Sequence, residues 1–152
     1  MGLYANSGDY DIDGFESSIS LRKDLFNARL SYSKSDSKHL ETVDQLRYEV
    51  GDSIALNLGY DMPDYDLNVN WTTLVTLADD SVFSGADIHK AGYQVHNITM
   101  QWLPRDISAL TVTLGVQNLF DKAYYSHASY SSDTVQDYET GRNFKLSASY
   151  LF

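Results

Sequence analysis

His127 stands among Tyr124, Tyr125 and Tyr130, and imidazole with phenolate is a donor set that suits iron, free or in a chelate such as haem. The plainer reading of the same group is a polar, tyrosine-rich loop beside an aromatic belt. His39 and His89 lie in other polar stretches, and His96 falls on a strand where an amphipathic ring is ordinary. Asp79, Asp80, Asp87, Asp133, Asp137 and Glu139 could attract divalent cations, although no EF-hand-like spacing supports a calcium loop and a solvated surface explains them as well. The chain has no cysteine, so it offers neither disulfides nor thiolate ligands. No nucleophile, base and orienting group recur at usable spacing. The expectation is a chain with no catalytic residues, no dedicated metal site and no enzymatic activity.

What must position such a loop is a series of strands. From Asn143 to Phe152, Phe144, Leu146, Ala148, Tyr150 and Phe152 alternate with Asn143, Lys145, Ser147 and Ser149, the period-two pattern of a strand with one apolar face. The pattern recurs six times upstream. Its apolar sets are Phe15, Ser17, Ile19 and Leu21; Phe26, Ala28, Leu30 and Tyr32; Ile54, Leu56, Leu58 and Tyr60; Leu67, Val69, Trp71, Thr73, Val75 and Leu77; Ile98, Met100 and Trp102; and Leu110, Val112, Leu114 and Val116. Tyr4 to Gly14, rich in Asn, Asp, Gly and Ser, reads as a loop. The six connections alternate in length. Lys23–Leu25, Asp61–Asp66 and Leu103–Ser108 are short, whereas 33–53, 78–92 and 118–141 are long and polar, 33–53 with room for strand-like extensions beyond the sheet. Tight turns at one rim and extended loops at the other are the habit of outer-membrane barrels.

Composition narrows the setting. The formal charge is −10, which argues against nucleic acid as a partner. No run approaches the roughly 18 apolar residues of a spanning helix, so a membrane role must be a strand role. The apolar positions above carry no charge, and the opposite positions are mainly Ser, Thr, Asn, Gln and Gly with a few charges, Glu16, Arg22, Arg29 and Lys145. That contrast fits lipid outside and a wetted lumen inside. Phe26, Tyr60, Trp102, Tyr150 and Phe152 lie toward the short-turn rim, and Phe15, Tyr32 and Phe144 toward the other, as two interfacial belts would require. A strand of about 10 residues, tilted ~40°, spans about 25 Å, the height of such a band.

Seven strands place the two chain ends at opposite rims, whereas complete bacterial barrels have an even count. An open sheet would leave unpaired backbone groups in lipid, so the expectation is part of a larger barrel, with Met1–Leu3 the stub of a further strand. The first residues have no basic n-region or apolar h-region.

At Asn118-Leu119-Phe120-Asp121-Lys122-Ala123-Tyr124-Tyr125, and again at Gly141-Arg142-Asn143-Phe144 leading to Ser149-Tyr150-Leu151-Phe152, the chain resembles the TonB-dependent outer-membrane receptors. Gly14-Phe15-Glu16 and Gly92-Tyr93 resemble that family's strand openings. The resemblance covers essentially the whole chain. It implies an all-β, antiparallel up-and-down transmembrane barrel segment, residues 1–152 supplying about seven strands of the C-terminal part of a barrel of about 22. It also implies a plug domain that lies outside this chain, a Gram-negative outer-membrane location, long loops extracellular and the C-terminus periplasmic. The function so implied is import of an iron complex, haem or a ferric siderophore, as cargo rather than a resident cofactor. Implied partners are the TonB complex acting through the plug, the barrel-assembly machinery at the C-terminal strand ending in Phe152, and outer-membrane lipid with lipopolysaccharide. The tyrosine-rich loop leans toward the haem and haemoglobin branch, although the axial-ligand motifs of that branch do not occur here. Asn118 and Asp121 are expected to brace their turn rather than to bind a ligand. Two alternatives stay open: a small self-contained outer-membrane barrel with a structural or adhesive role, which an eighth strand within 33–53 would support, and a soluble ligand-binding β-barrel.

Overall fold

The computed structural model describes residues 9–40, 49–129 and 137–152. Tyr130, Asp133 and Met1–Leu3 lie outside them. The described residues form nine strands: β1 (Tyr10–Lys23), β2 (Phe26–His39), β3 (Ser53–Met62), β4 (Leu67–Thr76), β5 (Asp79–Phe83), β6 (Ala86–Lys90), β7 (Tyr93–Trp102), β8 (Leu110–Gln117) and β9 (Asn143–Tyr150). Seven of them make one antiparallel meander, in the order β1-β2-β3-β4-β7-β8-β9. β5 and β6 form a separate hairpin that leaves the sheet between two neighbours and returns to it.

The register carries the sequence pattern across the whole sheet. Leu21 pairs with Ala28, Ala28 with Leu58, Leu58 with Trp71, Trp71 with Ile98, Ile98 with Val116 and Val116 with Phe144. One row over, on the other face, Arg22, Asn27, Gly59, Asn70, Thr99, Gly115 and Lys145 follow the same path. Because side chains alternate across a strand, a slip of one residue anywhere would mix the two rows. None occurs.

The apolar row is not a core. Ile19 is 72% exposed and Leu146 74%, and Val95 is the single buried hydrophobic among the described residues. A water-soluble domain of this size would bury many such side chains. The polar row satisfies itself instead. Thr72 donates to Asn57 at 2.9 Å, Asn68 to Asp61 at 2.5 Å, Asn70 to Asn68, and Arg29 to Ser18 at 3.2 Å. β1 and β9 are the outer strands and do not pair with each other. The described sheet is therefore open: among the described residues the strands close neither a soluble barrel nor a self-contained membrane barrel.

Two sequence expectations are corrected in detail and a third is located. β1 begins at Tyr10, inside the stretch expected as loop, and the strand-like extension expected within 33–53 is β2 running on to His39. Register explains both: Lys34–His39 pair only with Tyr10–Phe15, since β3 starts opposite Ser33. The two strands support each other about 20 Å beyond the rest of the sheet, and the mainly polar residues of this extension suit a hairpin in water. The second correction is β5–β6. Its turn is Ser84-Gly85, with φ of 52° and 72°, the left-handed pair that a two-residue hairpin turn demands.

Candidate functional site

The long-loop rim is where the chain concentrates polar chemistry, and Asn118 organises its first part. β8 ends there in a left-handed residue, φ 48°, a conformation that asparagine tolerates better than most residues. Its buried amide donates to the carbonyls of Lys122 (2.8 Å) and Thr140 (3.3 Å) and accepts from the Lys122 N–H (2.8 Å). Its own N–H donates to the Asn97 side chain at 2.9 Å. Asp121, also left-handed, accepts the Arg142 N–H at 2.7 Å. Gly141 leaves room for that carboxylate, since a Cβ there would come within 2.7 Å of it. Asn118, Asp121, Gly141 and Arg142 thus clip the exit of β8 to the start of β9. Leu119 joins the same ladder through its N–H to the His96 carbonyl, 2.8 Å.

His127 belongs to a second, deeper knot. It is fully buried. Its Nδ1 accepts the Gly51 N–H at 3.2 Å and its Nε2 lies 3.0 Å from the Ala91 carbonyl, so the neutral ring carries its proton on Nε2. Burial holds the imidazole below its ordinary pKa and the Lys90 ammonium adds to this, while the Ala91 hydrogen bond and Asp79 oppose them. Lys90 is also fully buried, with Nζ 2.7 Å from the Glu49 carbonyl and 3.3 Å from the Asp79 carboxylate. Glu49 accepts from Ser37 at 2.5 Å, and burial raises its pKa in spite of that bond. One cluster therefore ties together the β2 extension, the segment before β3, the β5–β6 hairpin and the loop after β8.

These contacts revise the reading of the loop. Both ring nitrogens of His127 are engaged by backbone groups, the Gly51 N–H and the Ala91 carbonyl, so the buried ring presents neither to an iron ligand. Tyr124 is half-buried, its ring 4.5 Å from that of Tyr93, and burial raises its phenol pKa. Tyr125 meets Tyr138 at 6.4 Å. Tyr93 also meets the His127 ring edge-on at 5.6 Å, so Tyr124 and His127 share one aromatic partner, whereas Tyr125 packs on a different one. Asp79, read from sequence as solvated, is largely covered beside Lys90, whereas Asp80 pairs with exposed His89 at 2.5 Å. Among the described residues no group of three His, Cys, Asp or Glu is placed to hold a metal.

What the loop does form is a cleft over the polar face. Leu74, Val95, Asn97, Tyr124, Glu139 and Lys145 line about 280 Å³ there. An apolar floor with an amide, a carboxylate and an ammonium at its edge can hold a polar ligand in a fixed orientation. Glu49, Lys90 and Ser37 escaped the sequence reading because each sits in a polar stretch that looks solvated. The Ser84-Gly85 dipeptide was the one local signal that could have revealed the hairpin carrying Lys90.

No protein-family profile matches the chain. It is similar to TonB-dependent heme receptor A of Haemophilus influenzae, 33% identical over 103 residues, 62% of this chain and 13% of that protein. The protein of that name from Haemophilus ducreyi is 28% identical across the whole chain and 22% of its own length. The hemin receptor of Yersinia pestis is 25% identical over 90% of the chain. The chain spans roughly an eighth to a fifth of the length of these relatives. Among solved structures, the FrpB iron transporter of Neisseria meningitidis superposes with a TM-score of 0.79 at 22% identity, over 93% of this chain and 23% of that one. The copper transporter OprC gives 0.81 at 19% identity, over 95% and 24%, so these likenesses concern the fold. In sequence the chain is similar to a share of the TonB-dependent heme receptors, and in fold it is a segment of an antiparallel barrel like those of the solved outer-membrane transporters.

Proposed function

We propose that residues 1–152 form the C-terminal part of the barrel of an outer-membrane receptor that imports an iron complex, haem ahead of a ferric siderophore. The observation that carries this reading is the exposed apolar face backed by a hydrogen-bonded polar face, the two-solvent wall of a water-filled lumen. The names of the similar receptors, which specify heme and hemin, supply the cargo. On this reading the long connections face outside the cell and the end of β9 faces the periplasm. The TonB complex acts through a plug supplied by the rest of the receptor. The barrel-assembly machinery engages the terminal strand up to Phe152, and phospholipid and lipopolysaccharide cover the apolar face. The segment is a binding and conducting wall, not an enzyme, and holds no resident cofactor. Tyr124 and Tyr125 contribute aromatic surface toward the cargo, and His127 fixes the loop that presents them.

The test is growth. A Gram-negative strain without haem uptake of its own receives the receptor carrying this segment, with haem as the sole iron source. Growth that requires TonB is expected. Growth on a ferric siderophore but not on haem would change the cargo, and growth on neither would overturn import.

A further inference from the structure

The polar face carries one apolar row. Ala55, Leu74 and Val95 stand opposite one another on β3, β4 and β7, in a face that is otherwise mainly Ser, Thr, Asn, Gln and Gly. Val95 is buried, whereas Leu74 is 42% exposed. The row floors a second pocket of about 380 Å³, whose other walls include Val50, Tyr124 and Ser126. Val50 precedes Gly51 and Ser126 precedes His127, so the Gly51 to His127 bond, 3.2 Å, stands at the edge of that pocket. Residues Lys122–Ser129 thus form a strap beside the apolar row. The Asn118 amide holds its first end at Lys122, and His127 holds its second on Gly51 and Ala91.

The second hold depends on one lone pair. Nδ1 of the neutral ring accepts from Gly51 while Nε2–H donates to Ala91. An imidazolium carries a proton on both nitrogens, so protonation sets an N–H against the Gly51 N–H with no acceptor between them. The charged groups against the ring come from the β5–β6 hairpin. The buried Lys90 ammonium opposes the imidazolium, and Asp79 favours it but is shared with that lysine. Glu49, before β3, joins the group through the bond of Lys90 to its carbonyl. Tyr93 of β7, edge-on to the ring, adds no charge. We propose that His127 is an acid-released pin: protonation of its ring frees Lys122–Ser129 and opens the pocket over Ala55, Leu74 and Val95. What the opened pocket meets rests on the receptor reading above, on which it faces cargo arriving from outside.

The experiment places a nitroxide on the whole receptor, in lipid discs, through Ala128→Cys, an exposed position beside the pin. At about pH 7.5 a single slow spectral component is expected. Below about pH 6.5 a fast component should appear and gain on the slow one by up to about tenfold per pH unit, the slope of one bound proton. His127→Gln keeps an acceptor and a donor but does not titrate, so its spectrum, whichever component it shows, is expected to be the same at both ends of the range. A nitroxide at Leu74→Cys, in the pocket floor, should become accessible to a water-soluble nickel chelate as the pH falls. A wild-type spectrum that ignores pH, an acid change that persists in His127→Gln, or a freed strap with Leu74 no more accessible overturns the proposal. These readings need no cargo, so a receptor that shows the acid release but fails to grow on haem would overturn the proposed import and leave the pin standing.

Discussion

Replacing His127 by alanine removes the pin between three segments of the long-loop rim. The ring is fully buried and bonds two backbone groups, the Gly51 N–H at 3.2 Å and the Ala91 carbonyl at 3.0 Å. Each group left unpaired in a buried site costs about 1–3 kcal/mol, so the pair sets an upper range of about 2–6 kcal/mol. Water can reach a rim more readily than a core, which brings the expected cost to ~3 kcal/mol, roughly two powers of ten in a local opening constant. Amide hydrogen exchange on the detergent-solubilised protein reads this directly. The Gly51 amide should exchange about a hundredfold faster in His127→Ala, while Thr99 and Gly115, in the interiors of β7 and β8, keep their rates. Unchanged protection at Gly51 would refute the structural role assigned to His127.

The same pin has a pH signature. Burial holds the His127 pKa below its ordinary 6.5, so the open loop binds a proton more readily than the closed one. Its contribution is whole above about pH 6.5 and is lost as pH falls from there through the depressed folded value. Glu49 acts in the opposite sense. Burial raises its pKa, so its contribution is whole below the ordinary carboxylate range and declines as pH rises through the raised value. Lys90 and Asp79 face both groups. The difference between wild type and His127→Ala therefore isolates the histidine: the acid-induced loss of Gly51 protection should be present in the first and missing in the second. An identical pH profile in both would remove His127 as its source.

Other perturbations test neighbouring parts of the argument. Lys90→Met leaves Asp79 without its buried cation and should loosen the β5–β6 hairpin by about 3–5 kcal/mol, read as faster proteolysis within 79–90; resistance equal to wild type would mean that the pair is not holding the hairpin. Leu114→Glu puts a carboxylate on the apolar face, Leu114 being 43% exposed, and should block assembly into membranes judged by heat-modifiable gel migration, whereas Thr113→Glu on the polar face should assemble. Equal outcomes would contradict the assignment of faces. Asn118→Ala removes the amide that holds Lys122 and Thr140 and disfavours its φ of 48°. A loss of about 2–4 kcal/mol is expected, seen as a lower unfolding midpoint in denaturant, and Asn118→Gly should recover only the backbone share.

The amino-acid sequence by itself determined the wall. Seven meander strands, the parity of their faces and the alternation of short and long connections are all legible in it. Side chains that alternate between lipid and water must alternate in polarity, and that constraint acts residue by residue with no distant partner. The β8–β9 sequence signature could be read for the same reason, since left-handed turns select asparagine, aspartate and glycine locally. What the tertiary structure alone decided is the rim. Lys90 meets the Glu49 carbonyl across 41 residues of chain, and His127 meets Gly51 across 76. A lysine or histidine in a polar loop has the same local pattern whether it is solvated or buried, because the free energy of burying it is set by a hydrogen-bond partner that only the fold brings near. The same holds for Trp71, Thr73, His96 and Gln94: their row on the outward face was visible in the alternation, but their joining into one hydrogen-bonded chain depended on the β4–β7 register.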